Sequence, residues 1–439
     1  MPRSTQLAGS TSTENGAYHA LLARHDAMRL RRRMLSPEGG AGVRGAAGEA
    51  YDGAADQRVI RAHLGLVGPF EELITQLYEV LFTRHPALRG LFPGEMAFQE
   101  AHLAQAFRYL LDHLDRPEEI AETFTRLGRD HRKLGVRPAQ YAAFEEALRA
   151  ALRVRAGGRG EAGLEEAWVR MVRFGVTAMV RGAEAALHEP PFWRATVTEH
   201  QLVGDDLAVL RVVPHETFRY EAGQYTDLES SLLPHTWRPY YLAGEPDAAG
   251  AVELHVRCTG PGGVSEALVH RTAVGDEVRL GPPKGNLTLG EEPAGDLRLV
   301  AWDTGWAAMK ALLQEVDRRT RTSPGHGVRR VRLFLGAPDV AGLYDTEYLA
   351  GLERRRPWLS VVPVTGGAPG GEGYGRLAAA VTRAAAPPGG RVLVSGPPAM
   401  VRAVGASLAR AGVAGEDVRH DLLPTGAESG HAAPGAVPA

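Results

Sequence analysis

Leu127-Gly-Arg-Asp-His-Arg-Lys-Leu-Gly-Val-Arg-Pro-Ala-Gln-Tyr141 ends one helix, turns at Gly135 and opens a second helix at Pro138. Upstream, Ile120, Phe124 and Leu127 recur at helical spacing, so His131 stands at the end of an apolar stripe where an aliphatic residue is expected. Beyond the turn, Pro138 suits a first helical position, where its missing N–H has no partner to lose, and Tyr141, Phe144 and Leu148 form the next inward face. This spacing predicts that His131 and Tyr141 can meet. An imidazole so placed has two readings. It is a hydrogen-bonded core histidine, or it is a neutral iron ligand whose other ring nitrogen is held by a phenol or carboxylate. The pattern alone leaves both open.

The helical period continues on both sides. Leu66-Phe70-Leu73-Leu77 and Leu103-Phe107-Leu110-Leu114 precede the stretch, a helix through Trp168, Met171 and Met179 follows it, and no strand signal interrupts them. Pro190-Pro191 stops the last helix, which predicts an all-α domain over residues 56–189. Residues 1–55 are rich in Gly, Ala, Ser and Thr around a short basic piece from Tyr18 to Leu35, and read as a disordered arm.

Downstream the period changes to two. Arg194–Val203, Leu207–Val213, Gln224–Leu228, Trp237–Leu242 and Val252–Cys258 alternate apolar and polar residues between turns, which predicts an antiparallel β-barrel over 190–294. From Leu297, strands at 297–302, 331–336, 361–364 and 392–395 alternate with helices at 307–319, 377–386 and 399–411. That predicts a parallel-sheet α/β domain over 295–423, with ligands at the strand C-termini, before a disordered tail over 424–439.

With 439 residues the chain has material for several cores, and a net charge of −2 leaves no electrostatic footprint for nucleic acid or an anionic membrane. The single cysteine, Cys258, excludes an internal disulfide or a cysteine cluster and suits a cytoplasmic setting. No apolar run reaches bilayer length, and the Arg31-Arg32 pair lacks the apolar segment of a twin-arginine signal.

Within the helical region, Tyr78 lies in Gln76-Leu-Tyr-Glu-Val-Leu-Phe82, Phe92 lies in Leu91-Phe-Pro93, and Gln99 and Leu103 are one turn apart. In this order, followed by the His131–Tyr141 stretch, a barrel and a βα sheet, they resemble the flavohaemoglobins over about residues 58–423. The resemblance implies that His131 is the proximal ligand of haem b and that Tyr78 and Gln99 are distal hydrogen-bond donors. It further implies that Leu103 is a gate above the iron, that Phe92 packs on the porphyrin, and that Tyr141 and Glu184 hold the proximal histidine. A phenol and an amide over bound dioxygen stabilise the partial negative charge on its outer oxygen.

In the barrel, Ala222-Gly-Gln224-Tyr225 and Arg238-Pro239-Tyr240-Tyr241 resemble the FAD-binding motifs of ferredoxin-reductase-type domains. Arg238 would suit the pyrophosphate and Tyr240 the isoalloxazine face, whereas Tyr241 replaces a serine that the family places at the reactive flavin edge. Gly262-Gly263-Val264-Ser265 matches the turn that receives the flavin phosphates. In the sheet, Trp302-Asp303-Thr304-Gly305 stands where the family has Gly-Gly-Thr-Gly, so an indole and a carboxylate are expected to obstruct and repel NAD(P)H. Val394-Ser395-Gly396-Pro397 matches the second cofactor segment, with Ser395 in place of cysteine.

The resemblance thus implies a nitric oxide dioxygenase, passing electrons from NAD(P)H through FAD to haem, with O2 and nitric oxide as substrates. A gas-binding or sensing protein whose reductase part has lost normal NAD(P)H use is the alternative that Trp302, Asp303 and Tyr241 raise. A reductase for another acceptor leaves the helical motifs unexplained.

Overall fold

The computed structural model describes residues 51–157, 163–245, 250–290, 295–322, 328–367, 371–384 and 390–423. The tail after 423 and the expected arm of residues 1–55 up to residue 50 lie outside them, whereas residues 51–55 are described and open the first helix, with the Asp52 side chain capping it. The chain divides into two units at Pro191 and Phe192. Among the described residues, no helix is long and apolar enough to cross a membrane.

The first unit is helical. Its helices are α1 Gly53–Ala62, α2 Leu64–Val67, α3 Phe70–Arg84, α4 Ala97–Asp112, α5 Pro117–His131, α6 Gln140–Ala156 and α7 Leu164–Ala185. Charge placement suits the helix dipoles: α5 begins with Pro117, Glu118 and Glu119 and ends with Arg129 and His131. Ile120, Phe124 and Gly128 are its buried face. Helices α5 and α7 cross in backbone contact, since a Cβ at Gly128 would overlap Met179 of α7 and one at Gly182 would overlap Thr125 of α5. The turn at Gly135 has φ 72°, as expected, but α6 begins at Gln140 rather than Pro138. A hydrogen-bonded turn fills the gap, with the Arg137 N–H on Gln140 Oε1 at 2.7 Å and the Tyr141 N–H on the Pro138 carbonyl at 3.2 Å.

The second unit joins two sheets. Strands β1 Trp193–Leu202, β2 Leu207–Pro214, β3 Tyr225–Ser230, β4 Trp237–Tyr241, β5 Val252–Arg257 and β6 Glu277–Leu280 form an antiparallel sheet in the order β4-β3-β6-β1-β2-β5. An antiparallel bridge between Leu242 and Leu254 brings its two edges together into a nearly closed barrel. Strands β7 Gly295–Trp302, β8 Val328–Ala337, β9 Leu359–Thr365, β10 Arg391–Ser395 and β11 Val418–His420 form a parallel sheet in the order β11-β10-β7-β8-β9. Helices α8 Trp306–Thr322 and α9 Thr346–Arg355 cover one face, and α10 Gly371–Arg383 and α11 Pro398–Arg410 the other. Successive β7 residues point to opposite faces, with Leu299 and Ala301 toward α8 and Val300 and Trp302 toward α10 and α11. Order reverses between β7 and β10, so the crevice at their C-terminal ends is the switch point where such sheets take ligands.

Candidate functional site

His131 is the last residue of α5, and its Nδ1 lies 3.2 Å from the Leu127 carbonyl oxygen. A carbonyl only accepts, so Nδ1 carries the proton and Nε2 the lone pair, the tautomer an iron ligand needs. Arg132 ties this corner to the end of α7, donating to the carbonyls of Ala186 at 2.6 Å and Glu189 at 2.7 Å. Glu184 is half-buried on that same last turn. Among the described residues neither its carboxylate nor the Tyr141 hydroxyl makes a hydrogen bond, and burial pushes Tyr141 up to about 12. The Leu127 carbonyl is thus one acceptor on His131.

On α3, Tyr78 is 8% exposed, meets the Phe92 ring edge-on at 5.6 Å and stacks on Phe82 at 5.7 Å. Burial, with the Glu100 charge, raises its phenol above the ordinary range, so it stays a donor. Gln99 Oε1 on α4 is buried without a hydrogen-bond donor, and Leu103 sits one turn further on, half-buried. Tyr78, Phe92, Leu103, Leu127 and Tyr141 belong to or pack against one apolar cluster. A buried amide oxygen without a donor costs about 1–3 kcal/mol unless something else fills the space beside it. These residues fit a haem with a ligand on its distal side.

The barrel's candidate residues meet at strands β3 and β4, whose register sets Tyr225 opposite Tyr241 and Thr226 opposite Tyr240. Gln224 is spent locally, its Oε1 accepting from the Glu221 N–H at 2.9 Å. Pro239 faces Asp227 across the ladder, and Lys284 bonds Asp227 at 2.6 Å. Burial lowers the Arg238 pKa, with Tyr240 and Asp227 opposing, so this guanidinium gains from an anion such as a pyrophosphate. Gly263 leads into the turn of Val264 and Ser265, and a Cβ at Gly263 would meet nothing within 4 Å, so that turn is open.

Three buried side-chain oxygens collect behind β4: the Tyr241 and Ser395 hydroxyls, which lie against each other without a well-formed hydrogen bond, and Asp421 Oδ2, which has no partner. The Tyr241 and Tyr225 rings are 6.0 Å apart, and Asp421 with Tyr225 flanks Gly285. Burial and the Asp421 charge push the Tyr241 phenol well above its usual range, and burial raises the Asp421 carboxyl against the backbone N–H groups of Asn286 and Leu287. Such a polar wall fits the heteroatom edge of a flavin. Asp421 did not stand out in the sequence. Its signal is a lone acid before Leu422-Leu423 in a segment otherwise read as the end of the domain.

At the parallel sheet, Thr304 and Gly305 lie in the 3-10 turn Asp303–Gly305, with Gly305 packed on the Ser395 carbonyl and the Gly396 nitrogen. Gly396 and Pro397 lead from β10 into α11. The repulsion expected of Asp303 is offset: its two oxygens each lie 2.7 Å from Arg257 Nε on β5, and Arg257 also bonds Asp206 at 2.5 Å. The indole of Trp302 is buried in the apolar core of this end of the sheet. The indole and the Asp303–Arg257 pair thus stand at the C-terminal end of β7, where the expected motif has glycines.

Comparison with known proteins follows the same division. Residues 75–179 match the globin family model, and residues 194–289 match that of the oxidoreductase FAD-binding domain. The chain is 24% identical over 319 residues to the flavohemoprotein of Halalkalibacterium halodurans, covering 66% of this chain and 74% of that one. It is 27% identical over 312 residues to the flavohemoprotein of Bordetella pertussis, covering 65% and 75%. The reductase component of phenol 2-monooxygenase from Pseudomonas sp. is 34% identical over 145 residues, 33% of this chain and 39% of that protein's length. In structure, the chain is similar to the flavohemoglobin of Malassezia yamatoensis with bound FAD and heme, with a TM-score of 0.68, 17% identity, and coverage of 84% of this chain and 98% of that one. The chain is thus a globin domain joined to an FAD-binding oxidoreductase domain and a parallel-sheet α/β domain, the architecture of the flavohaemoglobins.

Proposed function

We propose that this chain is a haem- and flavin-dependent oxidoreductase that converts nitric oxide and dioxygen to nitrate, taking up one electron for each nitrate formed. The observation that carries this reading is the donorless, buried Gln99 oxygen in the same helical unit as the buried Tyr78 phenol and a correctly tautomeric His131. When bound, haem supplies an iron that takes up dioxygen, and FAD supplies electrons singly. His131 offers its Nε2 lone pair to the iron, with Leu127 fixing the ring. Tyr78 donates its O–H to a ligand on the opposite side, and a half-turn of the Gln99 amide offers an N–H as well. Leu103 fills the space above that ligand and limits what can reach it. Arg238 counters the flavin pyrophosphate, Tyr240 covers a ring face, and Tyr241, Ser395 and Asp421 meet the polar edge.

The flavohaemoprotein relatives support turnover over the sensing alternative. The test uses the purified protein, which should show a Soret band and a flavin band. Reduced with dithionite, freed of excess reductant, exposed to O2 and then to nitric oxide, it should form about one nitrate for each electron stored, which is one from haem alone and up to about three per haem when reduced FAD is loaded. A missing Soret band, or nitric oxide left unconsumed, would sink the reading.

A further inference from the structure

Strand β7 ends in Trp302 and β10 in Ser395, the two sides of the switch-point crevice. The indole runs from there into a slot built from three separate segments. A Cβ at Gly336, on β8, would overlap Trp302 Cε3, and one at Gly373, on α10, would lie 2.6 Å from Trp302 Cη2. A Cβ at Gly396, after β10, would lie 3.1 Å from Trp302 Cβ. Real side chains essentially never approach as closely as the first two, and the third is a tight contact, so glycine at Gly336 and Gly373 is what lets the indole seat as it does. Tyr374 closes the slot edge-on at 4.9 Å, and 2% of Trp302 remains exposed.

The residue that follows is locked as well. Asp303 has φ 54°, a backbone conformation that favours glycine, and Arg257 reaches across from the barrel to hold both its oxygens. Backbone, carboxylate and indole thus line the C-terminal end of β7, beside the switch point at which an open sheet takes a nucleotide.

We propose that Trp302 is the residue that controls dinucleotide access to this module: NADH or NADPH occupies the crevice only when the indole has left its glycine slot. The inference rests on the flavin-reductase reading above. Occupancy then carries the cost of unseating a buried indole, so affinity is reduced by the fraction of molecules in the open state. Flavin reduction levels off with nucleotide concentration at the opening rate, provided opening is slower than the transfer that follows.

The full-length protein, Trp302→Ala and Trp302→Phe should be titrated with NAD+ by calorimetry, which reads access to the crevice whether or not flavin is loaded. Trp302→Ala should bind at least tenfold more tightly than wild type, with Trp302→Phe between them because the smaller ring vacates part of the slot but keeps the core apolar. Stopped-flow bleaching of the flavin by NADH should accelerate in the same order, on the order of a hundredfold for Trp302→Ala, while dithionite bleaches all three alike. Equal NAD+ affinity in wild type and a well-folded Trp302→Phe overturns the proposal, as does wild-type bleaching that rises linearly with NADH and matches the variants. A wild type that lacks dithionite-reducible flavin but shows the affinity order would overturn the flavin reading and leave the access role standing.

Discussion

The helical unit and the end of the parallel sheet treat their polar and apolar groups in opposite ways. Around Tyr78 and Gln99, a buried amide oxygen is left without a donor beside a largely buried phenol. At the C-terminal ends of β7 and β10, the Asp303 carboxylate is paired, and glycines press against an indole from three sides. The first pattern suits the ligand-binding site proposed above. The second is a site that the chain has occupied with itself. What separates them is pairing at the centre: Asp303 has its arginine and Ser395 Oγ is left over beside Tyr241, whereas the Gln99 oxygen has no donor.

The contrast can be broken most directly at His131. His131→Ala should lose stable haem altogether, with the Soret band gone, while the yellow flavin chromophore remains, because the flavin motifs lie in the other unit. A normal Soret band in this variant would remove His131 as the ligand and make the helical unit a plain core. On the filled side, the contrast sharpens at Glu253, whose carboxyl, against the cost of burial, is held down to about 2 by hydrogen bonds from His255 and Lys310. Because this folded pKa lies below the ordinary 4.5, its stabilisation is present above pH 4.5 and is lost as pH falls through about 2. Glu253→Gln should therefore cost the second unit roughly 3 kcal/mol at neutral pH, a penalty that vanishes toward pH 2. Denaturant unfolding at a series of pH values reads this, and a pH-independent difference would contradict the ion-pair account.

Within the helical unit, Gly182→Ala places a methyl group on the Thr125 carbonyl and should destabilise by about 2 kcal/mol, with some loss of haem retention as the corner bearing His131 shifts. An unchanged melting temperature would show that α5 and α7 have slack. The smallest effect is expected from Tyr78→Phe, which removes a distal donor worth about 1 kcal/mol. Dioxygen should then dissociate several-fold faster and nitric oxide consumption slow. An unaltered dissociation rate would mean that the phenol faces away from the ligand.

Periodicity made the fold legible. Helical and strand spacings located the all-α unit, five barrel strands and four strands of the parallel sheet. Strands β6 and β11 escaped because four and three residues are too few to show alternation, and the helix Thr346–Arg355 escaped for want of a long apolar stripe. In the candidate site, Tyr78, Gln99 and His131 were readable as an ordered set. The pairing of Asp303 was not, because its partner Arg257 is remote in sequence and sits in a strand whose polar residues read as solvent-facing. The same alternation hid Glu253 and His255. They face protein: His255 bonds Tyr344 at 2.9 Å, and Glu253 bonds Lys310 at 2.8 Å. Charge on alternate strand positions marks the polar face of a strand without saying whether water or another domain lies against it.

That face of β5 limits how the molecule can be taken apart. Glu253, His255 and Arg257 are contributed by the barrel, yet Lys310, Tyr344 and Asp303, which neutralise or bond them, come from the sheet domain. A barrel produced alone would present two charges and an imidazole on a surface shaped for contact, and a sheet domain produced alone would bear the complementary scar. The two are heritable and transplantable as a pair. A chimaera that gives this reductase module a different haem partner should be cut at Pro190-Pro191, where the chain divides, and should keep residues 192–423 together.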